Sequence, residues 1–209
     1  MGKMINGLSG SCNGKIGNLV VYELMGKTVI RTIGKSSKPP TEKQLEVRQR
    51  MRVMSGFLYP LHDVINKGFC ESAVLAQKYP HNMAVSYNIR NAMTGVYPNI
   101  GIDYTKVMLA QGTILPAQQP AVERVGQELR FTWAASPLMP WLESTDRVML
   151  EAYFPDKNYA VSLIGGAVRI KGAETLRLPH TMQDEYLVAY IAFLSDNGKQ
   201  ASDSVYIRM

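Results

Sequence analysis

Three runs in the last part of the chain, residues 121–209, constrain its fold more than anything before them. Leu129-Arg130-Phe131-Thr132-Trp133 alternates apolar and polar side chains and ends on a large aromatic. Tyr186-Leu187-Val188-Ala189-Tyr190-Ile191-Ala192 is a second β-prone run. The turn Asp196-Asn197-Gly198-Lys199 separates it from a third, Ser204-Val205-Tyr206-Ile207. A pleated strand sends successive side chains to opposite faces, so runs like these bury one face against a second sheet. The expectation is a β-sandwich over residues 115–209, with Phe131, Trp133, Tyr186, Val188 and Tyr190 in its core. Sandwiches of this kind usually hold, space or bind.

A chain of 209 residues has room for one large domain or two small ones, each closing a core. Its 46% hydrophobic and 19% charged content fits a folded chain and excludes a disordered one. No run approaches the apolar length of a transmembrane helix. The opening Met1-Gly2-Lys3-Met4-Ile5-Asn6-Gly7 has no apolar stretch of a secretory signal behind it, and Asn6 argues against myristoylation. Cytoplasmic synthesis, with incorporation into a particle left open, is therefore expected. Cys12 and Cys70 read better as two unpaired thiols than as a disulfide.

The net charge of +6 is uneven. Residues 1–56 carry ten Lys and Arg against three Glu, a balance of +7, which leaves the remainder at −1. The cations Lys15, Lys27, Arg31, Lys35, Lys38, Arg48, Arg50 and Arg52 are the candidate contacts for an acidic partner, nucleic acid included. The alternative is a solvated basic face that aids solubility. Only Tyr22 lies among these cations, which weakens the expectation of a single-strand platform.

The first residues are glycine-rich and read as an arm, either flexible or wedged against another backbone. Two β-prone runs around Met25-Gly26-Lys27 then predict a hairpin, and Ser36-Ser37-Lys38-Pro39-Pro40 breaks the chain. Thr41-Glu42-Lys43-Gln44 forms a capping box. The helix it opens carries Val47, Met51, Met54, Leu58, Leu61 and Ile65 at steps of four and three, all on one face, and Pro60 should kink or split it. This narrow apolar strip reads first as core. Alternatively Val47, Met51, Met54, Leu58 and Leu61 form a seam between subunits. The spacing predicts a further helix over residues 82–93 and a strand over residues 104–110. The prolines of residues 115–120 then mark a boundary between an N-terminal unit, residues 1–114, and the sandwich.

The residues for catalysis are not at working spacings. Gly10-Ser11-Cys12-Asn13-Gly14-Lys15-Ile16 is one residue short of a phosphate-binding loop and lacks the Ser or Thr after its lysine. His62, His81 and His180 are far apart in sequence, with no cysteine at ligand spacing, so neither metal nor small-molecule cofactor is expected. Adjacent His62 and Asp63 cannot form a relay by themselves, and Asp184-Glu185 reads as turn charge. Trp141 reads first as a lid over the core edge and second as a stacking platform for a ligand.

The runs Leu129-Arg130-Phe131-Thr132-Trp133, Thr175-Leu176-Arg177-Leu178 and Tyr186-x-Val188-x-Tyr190-x-Ala192 resemble the second, fifth and sixth strands of a fibronectin type III-like domain. The resemblance implies a tryptophan between the sheets and Tyr186 as a tyrosine corner. It implies no activity. Val148, Leu150, Ala152 and Phe154 depart from that family's aromatic-rich alternation, which leaves their sheet membership open. The front end is similar to an uncharacterised bacterial domain family that pairs such an arm, hairpin and helix with a similar sandwich. It carries Gly14-Lys15-Ile16-Gly17-Asn18-x-Val20-x-Tyr22, Gly26-x-x-Val29-x-Arg31 and Pro40-Thr41-x-x-Gln44-x-x-x-Arg48. The same residue order looks like short proteins among phage and prophage structural genes.

The fold expected is thus α+β and mostly β: arm, hairpin and long helix, then a fibronectin type III-like sandwich. The function expected is a non-enzymatic structural or assembly protein whose partners are itself or other subunits. Nucleic-acid binding through residues 1–56 is the alternative, and a surface or carbohydrate-binding sandwich is the second.

Overall fold

The computed structural model describes residues 3–4, 12–24, 26–35, 38–182 and 185–208, excluding the side chains of Lys3, Met4 and Cys12. They fall into two compact units, Met1–Glu42 and Lys43–Met209.

In the first unit, β1 (Lys3–Met4), β2 (Cys12–Ile16), β3 (Leu19–Leu24) and β4 (Lys27–Thr32) form one antiparallel sheet in chain order. The hairpin expected at Gly26 is present, with Leu24 opposite Lys27. The stretch read as an arm ends in strand β2 instead. Gly17-Asn18 is a two-residue turn that sets Ile16 opposite Leu19, with Gly17 at a φ of 57° that a hairpin turn of this length favours. Gly2, Gly7, Gly10, Met25 and the side chain of Cys12 lie outside the described residues.

The second unit is three layers deep. Helices α1 (Glu42–Leu58), α2 (His62–Gly68), α3 (Cys70–Leu75) and α4 (Pro80–Asn91) come first, followed by a small hairpin of β5 (Met93–Val96) and β6 (Asn99–Ile102). The sandwich follows. Strands β7 (Ala121–Val125), β8 (Glu128–Thr132) and β11 (Ala173–Arg177) make one sheet, in the order β11-β8-β7. The other, in the order β10-β9-β12-β13, holds β9 (Arg147–Phe154), β10 (Tyr159–Val168), β12 (Val188–Leu194) and β13 (Val205–Ile207). A one-turn helix, α5 (Trp141–Ser144), lies between β8 and β9. The runs expected as second, fifth and sixth strands of the sandwich are β8, β11 and β12. Val148, Leu150, Ala152 and Phe154 belong to β9, which pairs with both β10 and β12.

Alternation along β9 and β12 creates two cores. Val148, Leu150, Ala152, Phe154, Ala189, Ile191 and Phe193 face the three-stranded sheet, where Phe131 and Trp133 also lie. Met149, Tyr153, Val188, Tyr190, Ala192 and Leu194 face the other way, into a core shared with Met54, Phe57 and Leu58 of α1, Val64 and Ile65 of α2, and Ala84 of α4. Phe131 and Trp133 are therefore where the sequence placed them, between the sheets. Val188 and Tyr190 are buried, but under the helices. Tyr186 corrects the tyrosine-corner expectation: it precedes the strand and is 61% exposed. With both faces of β12 covered, the run is apolar throughout and its alternation carries no phase.

The boundary expected at residues 115–120 is also corrected. Ile114 bridges Ser202, Ala117 is buried, and the buried Arg169 donates from Nη2 to the carbonyls of Leu115 and Pro116 at 2.6 and 2.9 Å. The segment is pinned to the sandwich, and the units part instead at Glu42/Lys43. The Arg169 guanidinium also meets buried Asp146 at 3.2 Å and stacks 4.2 Å from the centre of the Phe193 ring. Burial raises the Asp146 pKa, and Arg169 offsets part of that rise.

Helix α1 ends at Leu58, and Pro60 separates it from α2, as expected. Residues 82–93 are helical up to Asn91, within α4. Residues 104–110 are not a strand. Tyr104–Lys106 is a 3-10 turn capped by Asp103, and the side chain of buried Asn88 takes both the N–H and the C=O of Met108 at 2.8 Å. A side chain thus supplies what a neighbouring strand would have supplied.

Candidate functional site

The pleat sorts the cations of the first unit. Lys15 pairs with Val20 and Val20 with Arg31, so these three form one row across β2, β3 and β4. Tyr22 and Val29 make the next row on that face, and Leu24 and Lys27 the one after. The Arg31 guanidinium lies 5.9 Å from the centre of the Tyr22 ring. One face therefore gathers Lys15, Lys27 and Arg31 around a single aromatic. The opposite face carries Ile16, Leu19, Val21 and Ile30, with Glu23 as its carboxylate. Ile30 on that face is 63% exposed.

The remaining candidate cations lie on other elements. Lys35 and Lys38 follow β4 and are exposed. Arg48 and Arg52 lie one turn apart on α1 and are exposed, while Arg50 pairs with Glu46 at 2.8 Å on another side of the helix.

The strip proposed as a subunit seam is divided by the fold. Met54, Leu58 and Leu61 are fully buried in the helical core and are not available to a partner. Val47 and Met51, nearer the start of α1, are 65% and 50% exposed. With Lys43, Glu46, Arg50 and Ile89 of α4 they line a groove of about 460 Å³.

The model of a family described as "Family of unknown function (DUF6266)" matches residues 11–208. The chain belongs to that family. No curated protein and no solved structure matches it. The resemblance of its arm, hairpin, helix and sandwich to an uncharacterised domain family is thus borne out over nearly the whole chain.

In this DUF6266 chain, sequence distance misled about the histidines. His62 on α2 and His81 on α4 come together with ring centres 6.3 Å apart. Burial, and then the neighbouring His62, lower the His81 pKa. The His62 ring lies within 3.1 Å of the Asn66 amide nitrogen, and among the described residues no group of three or more His, Cys, Asp or Glu could hold a metal. The first turns of α2 and α4 meet and so produce the pair, and no spacing in the sequence encodes it. Cys70 is a free thiol that donates to the Lys199 carbonyl at 3.3 Å. Glu185 pairs with Lys157 at 3.3 Å, and Asp184 lies outside the described residues. Trp141 is not a lid: its side chain is 82% exposed. Among the described residues no helix is long and apolar enough to cross a membrane.

Proposed function

We propose that this chain is a non-enzymatic assembly or binding protein, a subunit that works by contact with copies of itself or with other proteins of a larger particle. The observation that supports this reading is the groove on α1. Val47 and Met51 remain exposed on an otherwise core-facing strip, beside Ile89. Lys43 and Glu46 flank them with opposite charges, so a two-fold axis can set Glu46 of one copy against Lys43 of the other. The likeness of the front end to phage and prophage structural proteins points the same way. Size-exclusion chromatography with light scattering tests it. The wild-type chain is expected to self-associate, and Val47→Glu with Met51→Glu to return it to a monomer with unchanged circular dichroism. A wild-type chain that stays monomeric at high concentration contradicts the reading.

A second reading is favoured by the row Lys15, Val20 and Arg31 with Tyr22 beside it: the basic face of the first sheet binds single-stranded nucleic acid, phosphates against the cations and a base on the ring. Fluorescence anisotropy with a labelled oligothymidylate should show binding that weakens with a log–log salt slope of roughly −2, as expected for about three phosphates. Lys15→Gln with Arg31→Gln should flatten that slope. No binding at low salt removes this reading.

A further inference from the structure

One end of the sandwich holds a cleft that neither reading uses. The connection from β8 to β9 supplies Trp141, Leu142 and Glu143, the turn from β12 to β13 supplies Asn197 and Gln200, and Thr113 comes from the segment before the sandwich. The cleft encloses about 560 Å³, within the ~300–1,000 Å³ range of small-molecule sites. Loops at the ends of a sandwich are where such domains place binding residues, because the sheets beneath hold them still.

The cleft rests on a network of polar contacts. Asp146, which lines it, forms a buried ion pair with Arg169, and Arg169 also donates to the carbonyls of Leu115 and Pro116. Helix α5 is closed by the Ser144 hydroxyl, which donates to the Trp141 carbonyl at 2.8 Å. In the opposing turn, Asn197 Oδ1 accepts from the Ser195 hydroxyl at 2.8 Å and from the Lys199 N–H at 2.9 Å. That leaves the Asn197 amide nitrogen as the donor it can offer a ligand. Gln200 directs its amide nitrogen at Glu71 Oε1 from 3.4 Å, leaving its carbonyl oxygen as an acceptor.

Charge narrows the ligand class. Asp146 is balanced by Arg169, and Asp196 by Arg147 at 3.3 Å. Glu143 remains, and among the described residues no lysine or arginine lines the cleft. A phosphate, sulfate or carboxylate ligand would meet net negative charge with no cation to receive it. Beside these polar groups stand a Trp141 ring that is 82% exposed and the apolar side chain of Leu142. An indole face next to an amide donor, an amide acceptor and a carboxylate suits a neutral ring with an apolar C–H face and a rim of hydroxyls. We infer that this cleft is a binding site for a neutral saccharide, one sugar ring stacked on Trp141 with its hydroxyls bonded to Glu143, Asn197 and Gln200.

Fluorescence makes the test specific, because the other tryptophan, Trp133, is buried between the sheets and reports only on folding. The full chain is screened on an array of neutral glycans, then titrated to millimolar concentration with cellohexaose, maltohexaose and chitohexaose while tryptophan emission is followed. At least one neutral oligosaccharide is expected to bind and shift the emission. Trp141→Ala should weaken binding at least tenfold, and Asn197→Ala or Gln200→Ala each roughly fivefold, the effect of about one lost hydrogen bond. Trp141 is exposed, so its replacement leaves the fold intact, and unchanged circular dichroism verifies this. Absence of any neutral glycan signal overturns the inference, as does binding that survives Trp141→Ala or a preference for a sulfated glycan such as heparin. None of these outcomes depends on whether the chain self-associates.

Discussion

Glu151 sits where a carboxylate is least at ease. It occupies the face of β9 that meets the helices, flanked along the strand by Met149 and Tyr153 and across it by Tyr190 and Ser162. Its side chain is buried, and neither carboxyl oxygen has a hydrogen-bond partner of normal geometry. Burial therefore pushes its pKa well above the ordinary carboxyl value, and the nearby Ser162 hydroxyl offsets only part of that. The consequence for stability has a definite sign. Below the unfolded-state value of 4.5 the group is protonated in both states and imposes no electrostatic cost. As pH rises past it, the unfolded chain releases its proton while the folded chain holds on, so stability falls until the folded carboxyl also ionises. Glu151→Gln is expected to remove that decline and to stabilise the fold at neutral pH by roughly 1–3 kcal/mol. Urea titrations of both proteins from pH 4 to 8 measure it, and parallel pH profiles would contradict it. His81 acts in the opposite direction. Its pKa is lowered, so its contribution is present above the unfolded-state value of 6.5 and is lost as pH falls.

Among the elements, the clearest case of a side chain replacing a ladder is Asn88. It lies on the inner face of α4, and its amide donates to the carbonyls of Ala84 and Met108 while its oxygen accepts the Met108 N–H. Replacing it with Ala strands both Met108 groups in a buried site and should cost about 2–3 kcal/mol. Amide exchange over residues 107–110 should accelerate in that variant while β9 and β12 stay protected; unchanged exchange there would refute the role. The Asn88 contact also explains why residues 104–110 mislead. Their composition is strand-like, and nothing in them announces that a helix some twenty positions earlier will satisfy their backbone. Helix α1 was legible because the steps from Val47 to Leu61 and the stop at Pro60 are local signals. How far its strip is covered was not, because coverage depends on tertiary packing: Met54 is buried in the shared core and Val47 is exposed. In the same way the chain positions of β8, β11 and β12 could be read directly, whereas which side of β12 meets the other sheet could not. The gathering of Lys15, Arg31 and Tyr22 on one face became visible only once the register of β2, β3 and β4 was known.

At the scale of the whole molecule, helices α1 to α4 are not a separate domain ahead of a sandwich. Met54, Phe57, Leu58 and Ile65 share one core with Tyr153, Val188 and Tyr190, and strands β9 and β12 are buried on both sides. Gly68 shows how closely α2 meets the segment that follows the 3-10 turn: a Cβ added there would lie 2.6 Å from the Leu109 carbonyl oxygen and from the Ala110 Cβ. A sandwich deprived of these helices would expose the outer side of β9 and β12, an apolar sheet face too large for water. Two-state unfolding is therefore expected across Lys43–Met209, with helices and sheets lost together. The direct measurement is urea unfolding of residues 43–209, followed at once by helical circular dichroism and by the fluorescence of Trp133, with Trp141 replaced by Phe. Coincident transitions with one midpoint are predicted. Helical signal lost at a lower urea concentration, while Trp133 stays buried between intact sheets, would contradict the account.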